Sequence, residues 1–361
     1  MKVKNICFIS PSLNQGGLEN AVMVMSNEMA TRGHQVSIIC VYNNPVFYQL
    51  DERIKIISPT YKRKDFSTVV YYLKSIFYLR NEIKKIKPDV IVSYGDFLNP
   101  ISLLATRKLN IPVFISDRSS PGKKFPFIVQ KMREFIYPFA TGIIAQTATA
   151  KRQKQKMLKG YKNIQIIPNP IRPINNYPDS IKENIVLGVA RHYHVKGLDR
   201  LIEAFAKTNH SDWRLVIAGN KGPHTEELTQ LIEKYKITEK VQFLGAVKEI
   251  DKVFSTAKIF VLPSRSEGFP NALLEAMANG VASISFDINA GPSDIIKNNY
   301  NGFLVQNGDI NELANKIQLL MDDEIIREKI ALNALNLKEE LKVEKIGDLF
   351  YNFITKPNAN N

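Results

Sequence analysis

The sequence has little cysteine and almost no tryptophan. Among 361 residues there is one tryptophan, and the two cysteines, Cys7 and Cys40, both lie in apolar runs. A cysteine in such a run is typical of a small buried side chain, which disfavours a disulfide framework or a thiolate metal site. The chain also opens directly into a strand-like run, NICFIS, without the pattern of a signal peptide. We therefore expect a reducing, cytoplasmic location.

Long apolar segments are missing as well. The uncharged stretch of residues 135–150 contains Pro138 and Gly142 and falls short of the roughly 18 apolar residues that a membrane-spanning helix needs. No membrane span is predicted. The hydrophobic content of 44% is nevertheless high enough for large cores, which excludes an intrinsically disordered chain.

The positive charge is confined to one half of the chain. The net charge is +14, but residues 1–170 hold 26 lysines and arginines against 10 acidic residues, whereas residues 171–361 hold 23 against 25. This asymmetry predicts a polyanionic partner for the first half only: nucleic acid, an anionic membrane surface or an acidic substrate. Nucleic acid is disfavoured because no nucleic-acid-binding motif is present. A solvated, lysine-rich surface is the alternative.

Two segments, residues 66–87 and 123–140, interleave apolar residues with lysine and arginine, as interfacial amphipathic helices do. For the first segment, a helix with one buried face and a basic exterior is the slightly better explanation. The second favours a membrane surface, because it carries more aromatic area than one short helix usually buries. Its aromatic residues are Phe125, Phe127, Phe135, Tyr137 and Phe139.

Short apolar runs alternate with helix-like stretches along the whole chain. The first half contains NICFIS, QVSIIC, DVIVSY, PVFIS and GIIAQ, and the second contains NIVLGVA, RLVIAG, VQFLG, IFVLP and ASISF. This alternation is typical of parallel sheets with helices on both faces. It predicts an α/β fold of two doubly wound domains, residues 1–172 and 173–336, joined within the proline-rich segment 166–184. Residues 337–361 are predicted to form a helix, frayed at its end, that packs back on the first domain.

The segment PSRSEGFPNALLEAMANG, residues 263–280, predicts an anion site after one of the strands. Pro270 suits the first position of a helix, and backbone N–H groups and the helix dipole favour a phosphate at such a helix N-terminus. Glu267 lies in the loop and Glu275 on the helix. Buried carboxylates need partners, and sugar hydroxyls can provide them. One capping and one surface glutamate are the alternative.

Two further loops between strand and helix carry residues suited to a ligand. Arg191 and Lys196 lie five positions apart in VARHYHVKG, where an arginine fork and a lysine charge at the end of a parallel strand suit a diphosphate. Gly16 and Gly17 follow the first strand and allow a ligand to approach the backbone closely. Two solvated cations and a tight turn are the respective alternatives.

Together these loops resemble those of the retaining glycosyltransferases of family 4, which have the GT-B fold. Glu267 and Glu275 match the E-x7-E pattern of that family, VARHYHVKG is similar to its phosphate loop, and QGGLE is similar to its N-terminal glycine motif. Further matches, in family order, are IIPNPI, AGNKGP, VQFLGAV and NGFLV. The resemblance implies two Rossmann-like domains facing an interdomain cleft. Within the family, the likeness is to bacterial enzymes that build capsule, O-antigen and lipid-linked oligosaccharides.

The resemblance also implies roles for individual residues. Arg191 and Lys196 match the residues that bind the donor diphosphate and stabilise the leaving nucleotide. Glu267 matches the acid that contacts the donor sugar, and Glu275 matches the acid that holds the ribose hydroxyls. The remaining substrate-binding positions are Gly16 at the β-phosphate, Val247 at the base, and Gly17, Asn220, Gly268, Phe269, Pro270 and Asn271 elsewhere on the substrate.

The chain departs from the family where many relatives have a histidine near the donor sugar. The corresponding segment here, ISDRSSP, contains Asp117 and Arg118. Because an arginine cannot act as a base, either Asp117 takes that role, or Arg118 stabilises charge on the leaving phosphate or on an acceptor phosphate. We favour the second role, in which Arg118 stabilises charge on one of these phosphates.

The resemblance implies retaining transfer of a hexose or N-acetylhexosamine from a UDP-sugar to a polyprenyl-diphosphate-linked glycan in cell-surface polysaccharide biosynthesis. We expect a peripheral protein at the inner membrane face, whose basic first domain contacts the acceptor diphosphate and the anionic leaflet. No metal and no cofactor are expected, since the cations take the electrostatic role of a metal. The alternatives are a non-catalytic sugar-nucleotide-binding partner, a phosphorylase and a sugar-nucleotide 2-epimerase.

Overall fold

The computed structural model describes residues 3–14 and 16–355, which fold into two compact units. The first unit contains the chain up to Pro170 and the segment that begins at Val343, and the second contains Ile171–Lys342. The chain therefore passes from one unit to the other twice.

The first unit is built on a parallel sheet of seven strands. The strands are β1 (Asn5–Ser10), β2 (Gln35–Cys40), β3 (Lys55–Ile57), β4 (Val90–Tyr94), β5 (Val113–Ser116), β6 (Gly142–Ala145) and β7 (Ile164–Ile166). The helices between them are α1 (Gly17–Thr31), α2 (Thr68–Ile86), α3 (Leu98–Thr106), α4 (Phe127–Ile136) and α5 (Ala148–Met157). The strands lie side by side in the order β3-β2-β1-β4-β5-β6-β7.

The second unit repeats this plan with six strands. Its strands are β8 (Glu183–Val189), β9 (Arg214–Ala218), β10 (Val241–Gly245), β11 (Ala257–Leu262), β12 (Ala282–Asp287) and β13 (Phe303–Gln306). Its helices are α6 (Leu198–Ala206), α7 (Thr225–Lys234), α8 (Ile250–Thr256), α9 (Asn271–Ala278), α10 (Pro292–Ile295), α11 (Ile310–Asp322), α12 (Glu324–Ala334) and α13 (Leu337–Glu340). The parallel order is β10-β9-β8-β11-β12-β13.

Strand β11 shows why this sheet must be covered on both faces. Ile259 and Val261 pack into one core, with helices α6 and α11, while Phe260 and Leu262 pack into the other, with α9. Successive side chains of a strand point to opposite faces, so a continuous apolar run needs a core on each side. The predicted pair of doubly wound α/β sheets is confirmed.

Three strands were not predicted, and all of them are short edge strands. They are β3, β7 and β13, which lie at the ends of the two sheet orders. They have three or four residues each, and each includes an exposed position, so none of them is a continuous run of buried apolar side chains.

The single C-terminal helix that the sequence predicts is two helices instead. α13 stays with the second unit, because Leu337 is buried in its core and the Leu341 carbonyl accepts a hydrogen bond from the Ile171 N–H at 2.8 Å. A new helix, α14 (Val343–Thr355), belongs to the first unit. The predicted frayed end, residues 356–361, lies outside the described residues.

Helix α14 completes the core of the first unit. The Phe350 ring stacks on Phe8 of β1 with centroids 5.9 Å apart, and the Phe353 ring meets Phe114 of β5 edge-on at 5.1 Å. Gly142 makes room for the second contact, since a Cβ there would lie 2.7 Å from both rings of that pair. The last helix therefore fills space that β1, β5 and β6 leave open.

Each sheet has one point at which the strand order reverses, between β1 and β4 in the first unit and between β8 and β11 in the second. Ligands of open α/β sheets bind at the carboxyl ends of the strands beside such a point. The loops that follow β1, β8 and β11 contain Gly16, Lys196 and Glu267. The fold thus brings these candidate residues to the positions where a ligand is expected.

Within the described ranges, none of the helices is both long enough and apolar enough to span a bilayer.

Candidate functional site

The loops after β8 and β11 lie against each other in the second unit. Gly197 has a left-handed φ of +67°, and a Cβ there would lie 2.0 Å from the Pro263 carbonyl oxygen, so only glycine permits this contact. Arg265 ties the loops together, because its guanidinium donates to the His194 carbonyl at 2.8 Å and to both carboxylate oxygens of Asp199 at 2.7 and 2.5 Å. The loop with the predicted phosphate-binding cations is therefore fixed beside the loop with the first predicted acid.

Lys196 and Glu267, two of the predicted site residues, form an ion pair. The Lys196 Nζ donates to the two Glu267 carboxylate oxygens at 2.7 and 3.0 Å, and the Ser264 Oγ donates to one of them at 2.6 Å. The lysine and glutamate side chains are 26% and 10% exposed, so a ligand can reach them. Arg191 is exposed, with its guanidinium 5.2 Å from the centre of the Tyr193 ring.

Glu275, on α9, belongs to a network that the sequence analysis missed. Arg172 donates to both carboxylate oxygens of Asp251 at 2.8 and 2.7 Å and contacts Glu275 at 3.4 and 3.5 Å. Burial raises the pKa of Glu275, and Arg172 offsets only part of that effect. Burial would also raise the pKa of Asp251, but hydrogen bonds from Arg172 and from the Asn175 backbone lower it. Arg172 is committed to Asp251, which leaves the Glu275 carboxylate able to accept hydrogen bonds from a ligand.

The predicted helix N-terminus is present at the start of α9. The helix begins at Asn271, with Phe269 and Pro270 buried and Gly268 partly exposed before it. Gly291, with a φ of +101°, lets the loop after β12 approach this turn, because a Cβ there would lie 2.4 Å from the Pro270 Cδ. Backbone N–H groups and the helix dipole favour an anion at this position.

Asn220 and Val247 lie in the loops after β9 and β10. Asn220 is exposed and Val247 partly exposed, and the Asn220 carbonyl accepts a hydrogen bond from the His192 N–H at 3.1 Å. His192 is buried, its Nδ1 lies 3.0 Å from the Thr225 Oγ1, and burial lowers its pKa. In the described part of the chain, the Asn220 side chain makes no hydrogen bond to Glu267. His192 therefore ties the loop after β8 to the loop after β9 and to the start of α7.

Gly16 and Gly17 lie in the first unit, at the start of α1. The Tyr48 hydroxyl accepts from the Gly16 N–H at 3.0 Å and donates to the Gly16 carbonyl at 2.7 Å. Gly16 is extended, and a Cβ there would lie 2.3 Å from a carboxylate oxygen of Glu19, the far end of a flexible side chain. Tyr48 therefore holds the Gly16 backbone at a second helix N-terminus, where the helix dipole favours an anion.

Asp117, the candidate base, is the centre of a buried ion-pair cluster in the first unit. Its carboxylate pairs with Arg133 at 2.5 Å and with Lys154, and it accepts hydrogen bonds from the Tyr137 hydroxyl at 2.6 Å and the Asn99 amide at 2.9 Å. Burial would raise the pKa of Asp117, but Lys154 and Arg133 lower it well below the usual range. A carboxylate held in this way is a poor proton acceptor, and the geometry disfavours Asp117 as a base.

Asp96 adjoins the same cluster. Its carboxylate lies 3.2 Å from Arg133 and accepts a hydrogen bond from the Ser119 N–H, also at 3.2 Å. Burial and the nearby Asp117 raise the pKa of Asp96. The start of the loop after β5 is therefore held by two buried carboxylates: Asp117, which belongs to the loop, and Asp96, which accepts from the Ser119 N–H.

Arg118 is held differently from its neighbour. Its guanidinium donates to the side-chain oxygen of Asn169 and lies 4.6 Å from the centre of the Tyr94 ring, while its buried Nε has no hydrogen-bond partner. No carboxylate forms an ion pair with Arg118 in the part of the chain that the structure describes. A partly buried cation without a counter-ion attracts an anionic ligand.

The arrangement in the second unit is complementary to a sugar diphosphate. A lysine and a helix N-terminus can bind phosphate oxygens, and two acids can accept hydrogen bonds from hydroxyl groups. Among residues 3–14 and 16–355, no group of three or more histidine, cysteine, aspartate or glutamate side chains is placed to hold a metal ion.

Two family models match the chain, one on each half. The model "Glycosyltransferase Family 4" matches residues 15–173, and the model "Glycosyl transferases group 1" matches residues 174–336.

Similar proteins cover nearly the whole chain. The α-1,4-N-acetyl-D-galactosaminyltransferase of Campylobacter jejuni that acts on GalNAc-α-(1→4)-GalNAc-α-(1→3)-diNAcBac-PP-undecaprenol is 30% identical, over 97% of this chain and 98% of that protein. The UDP-Gal:α-D-GlcNAc-diphosphoundecaprenol α-1,3-galactosyltransferase of Escherichia coli is 25% identical, over 88% and 89%. The crystal structure of Anabaena HepE in complex with UDP has a TM-score of 0.80 at 18% identity, over 96% of this chain and 98% of that one.

Proposed function

Because this chain belongs to glycosyltransferase family 4, we propose that it transfers a hexose or N-acetylhexosamine from a UDP-sugar to a polyprenyl-diphosphate-linked glycan, with retention and without a metal ion. The observation that carries the donor site is the Lys196–Glu267 pair next to the N-terminus of α9. When the donor binds, the lysine exchanges the carboxylate for a phosphate, and the carboxylate becomes free to accept hydrogen bonds from the sugar. The UDP-sugar is a substrate, and no cofactor takes part.

The proposed mechanism relies on cations rather than on a protein base. As the bond between the anomeric carbon and the β-phosphate oxygen breaks, negative charge grows on that oxygen. Lys196, Arg191 and the α9 N–H groups stabilise this charge. The acceptor hydroxyl attacks from the same face and gives its proton to the leaving phosphate. This route is consistent with the low proton affinity of the Asp117 carboxylate.

The acceptor proposal rests on the relatives and on the first unit. Both transferases described above act on undecaprenyl-diphosphate glycans. The diphosphate of such a glycan is an anionic group, and an anionic partner is what the positive charge of residues 1–170 predicts. Arg118, a cation without a counter-ion, is the residue that we assign to the acceptor diphosphate. This assignment explains why an arginine stands where many family members have a histidine.

The proposed membrane contact involves α4. Its Phe127, Ile128 and Phe135 are 75%, 80% and 73% exposed, and Lys131 lies on the same helix with its side chain 59% exposed. Exposed aromatic and aliphatic side chains beside lysines suit the headgroup region of an anionic leaflet. We propose peripheral attachment at the inner membrane face on this basis.

The donor proposal is tested by UDP release from purified protein in the presence of EDTA, with a panel of UDP-sugars and a lipid-linked acceptor. We expect acceptor-dependent release from one donor, with the anomeric configuration retained in the product. Lys196→Met should lower kcat by about 10²–10³-fold, as expected for a group that stabilises leaving-group charge. The matched control, Lys329→Met, changes an exposed lysine on α12 and should keep the parent rate.

Other outcomes of this assay separate the alternatives. Release that requires a divalent cation would overturn metal independence. Conversion of the UDP-sugar into its epimer without an acceptor would indicate the 2-epimerase, and UDP binding without any turnover would indicate the non-catalytic partner.

The membrane proposal is tested by co-sedimentation with vesicles that contain anionic lipid. Phe127→Ser with Ile128→Ser should reduce the bound fraction, and high salt should reduce it for the parent protein. Ile325→Ser is the control, since Ile325 is also 80% exposed but lies on α12 of the second unit. Equal binding of all three proteins would contradict the assignment of α4.

A further inference from the structure

A cavity of about 400 Å³ lies inside the first unit. It is lined by residues that follow β1, β2, β4 and β5 and by one side of α2, so it opens at the carboxyl ends of the central strands, beside the point where the strand order reverses. The wall residues that matter below are Tyr42, Tyr72, Phe97, Leu98, Ile101 and Arg118. Nothing in the donor site of the second unit uses this cavity.

Two hydroxyl groups of α2 that face the cavity, those of Ser75 and Tyr71, are already satisfied within the protein. The Ser75 hydroxyl donates to the Tyr71 carbonyl at 2.8 Å, and the Tyr71 hydroxyl donates to the Val41 carbonyl. A sugar ring needs several convergent polar partners, and this wall does not offer them. The wall is better suited to hydrocarbon.

Two charged residues, Arg118 and Asp96, also line the cavity. The Asp96 carboxylate is already engaged by Arg133 at 3.2 Å. Arg118 differs. Its Nε is buried without a partner, and within the described residues its guanidinium forms no ion pair. The adjacent Asp117 offsets only part of its charge, because that carboxylate already faces the two cations Arg133 and Lys154. The cavity therefore combines an apolar wall with one cation that no carboxylate pairs with directly, and it suits an anionic group attached to a hydrocarbon chain.

The rim of the cavity continues into exposed apolar surface. Tyr72 and Phe97 line the cavity and are 36% and 46% exposed. Next to Tyr72 on α2, the side chains of Val69, Leu73 and Phe77 are 69%, 53% and 64% exposed and follow one another at four-residue spacing. A chain longer than the cavity can leave it along this face of the helix.

We propose that this cavity binds the isoprenoid units nearest to the diphosphate of a prenyl diphosphate, with Arg118 on the phosphate. The choice of a prenyl diphosphate rests on the proposed function, which supplies the chemical class of the acceptor lipid. The cavity then orients the acceptor by its lipid end, independently of the glycan that is extended. The affinity for an acceptor accordingly depends on its first isoprenoid units.

The test is equilibrium dialysis of the full chain with radiolabelled farnesyl diphosphate and, separately, inorganic diphosphate, both with saturating UDP to occupy the donor site. We expect farnesyl diphosphate to bind at least tenfold more tightly than inorganic diphosphate. Ile101→Trp fills the cavity and should abolish this preference. Phe97→Ser removes an exposed part of the wall, leaves the core intact and should reduce the preference several-fold.

The phosphate end is tested by a matched pair of variants. Arg118→Gln should weaken the binding of both ligands by a similar factor of about ten, as expected for loss of a charged hydrogen bond. Arg152→Gln, on an exposed position of α5, should leave both unchanged.

Two results would overturn the proposal. Equal affinity for farnesyl and inorganic diphosphate would reduce the cavity to an anion site, and an unchanged preference in both Ile101→Trp and Phe97→Ser would place the lipid elsewhere. The proposed function is judged separately by UDP release. If transfer to a methyl-diphosphate glycan is as efficient as transfer to the prenyl acceptor, the proposed function stands and the lipid cavity is overturned. If farnesyl diphosphate binds in a cavity-dependent way but no sugar is transferred, the lipid cavity stands and the proposed function is overturned.

Discussion

Replacing Asp117 by asparagine is expected to destabilise the first unit by about 3–5 kcal/mol, the range for breaking a buried ion pair on one side. The side chain keeps its shape, and its amide oxygen can still accept the Tyr137 hydrogen bond. Its charge disappears opposite Lys154 and Arg133, whose side chains are 8% and 3% exposed. Of its two ion pairs among the described residues, Arg133 keeps the 3.2 Å contact with Asp96, and Lys154 is left as a poorly solvated cation.

Urea unfolding followed by two signals measures this loss. Trp213, the single tryptophan, lies in the second unit, so its fluorescence follows that unit, whereas circular dichroism follows both. We expect Asp117→Asn to shift the dichroism transition more than the fluorescence transition. The control is Asp348→Asn, which breaks a pair with Arg32 in the same unit; because Asp348 is 59% exposed, its loss should cost less than about 1 kcal/mol.

A double variant checks the cause of the loss. Adding Lys154→Met to Asp117→Asn removes the stranded cation and should restore part of the stability. Two results would refute the argument from the buried cluster. One is a urea transition that shifts no more in Asp117→Asn than in Asp348→Asn, and the other is a double variant that is no more stable than Asp117→Asn.

The same cluster predicts sensitivity to acid. Because folding lowers the pKa of Asp117, its contribution is fully present above the unfolded-state value of about 3.9 and is lost as the pH falls from there through the folded value. Asp96 acts in the opposite direction, since burial raises its pKa and its ionisation at higher pH weakens the fold. Asp117→Asn should therefore flatten the loss of stability below about pH 4, which urea midpoints measured as a function of pH will show.

Two further predictions concern the second unit. Gly197→Ala should reduce both stability and UDP affinity, because the new Cβ would meet the Pro263 carbonyl oxygen at 2.0 Å. Gly245 is the control, since it has nearly the same φ but no atom within 4 Å of a Cβ placed there. Gly245→Ala should therefore show only the cost of a left-handed alanine, about 1–2 kcal/mol in thermal or urea unfolding. Glu275→Gln should weaken UDP binding about 10–100-fold in calorimetry, because hydrogen bonds to a charged acceptor are lost. The control Glu226→Gln changes an exposed glutamate and should leave UDP binding unchanged. Unchanged binding in Glu275→Gln would show that Glu275 does not belong to the nucleotide site.

The sequence predicted the central strands of both sheets and the family, and both predictions are confirmed. Buried parallel strands are continuous apolar runs, so each of them leaves a clear local pattern. The edge strands β3, β7 and β13 leave no such pattern, because each is short and includes an exposed position, whereas the equally short central strands β5 and β6 are buried throughout. The break between α13 and α14 also escaped prediction, since the contact of Ile171 with Leu341 that fixes it joins segments far apart in sequence.

The candidate site was predictable where a short motif carries it, as for Lys196 and Glu267. Their roles stay predictions, but the ion pair between them puts both in one loop cluster. Arg172 and Asp251 were missed because they are isolated charges 79 residues apart, with no local spacing to connect them. For Asp117, the sequence shows only a carboxylate next to Arg118. The fold reveals that Arg133 of α4 and Lys154 of α5 form ion pairs with that carboxylate.

Helix α14 sets an order for folding during synthesis. The second unit is a single contiguous stretch, Ile171–Lys342, whereas the first unit is complete only when α14 has been made. Domains usually fold in the order in which they are synthesised, but here the unit that begins first can finish last. While the second unit emerges from the ribosome, Phe8 and Phe114 still lack their partners Phe350 and Phe353. A ribosome that stalls before the last helix would thus hold a finished second unit and a first unit with an open apolar core, a natural target for a chaperone.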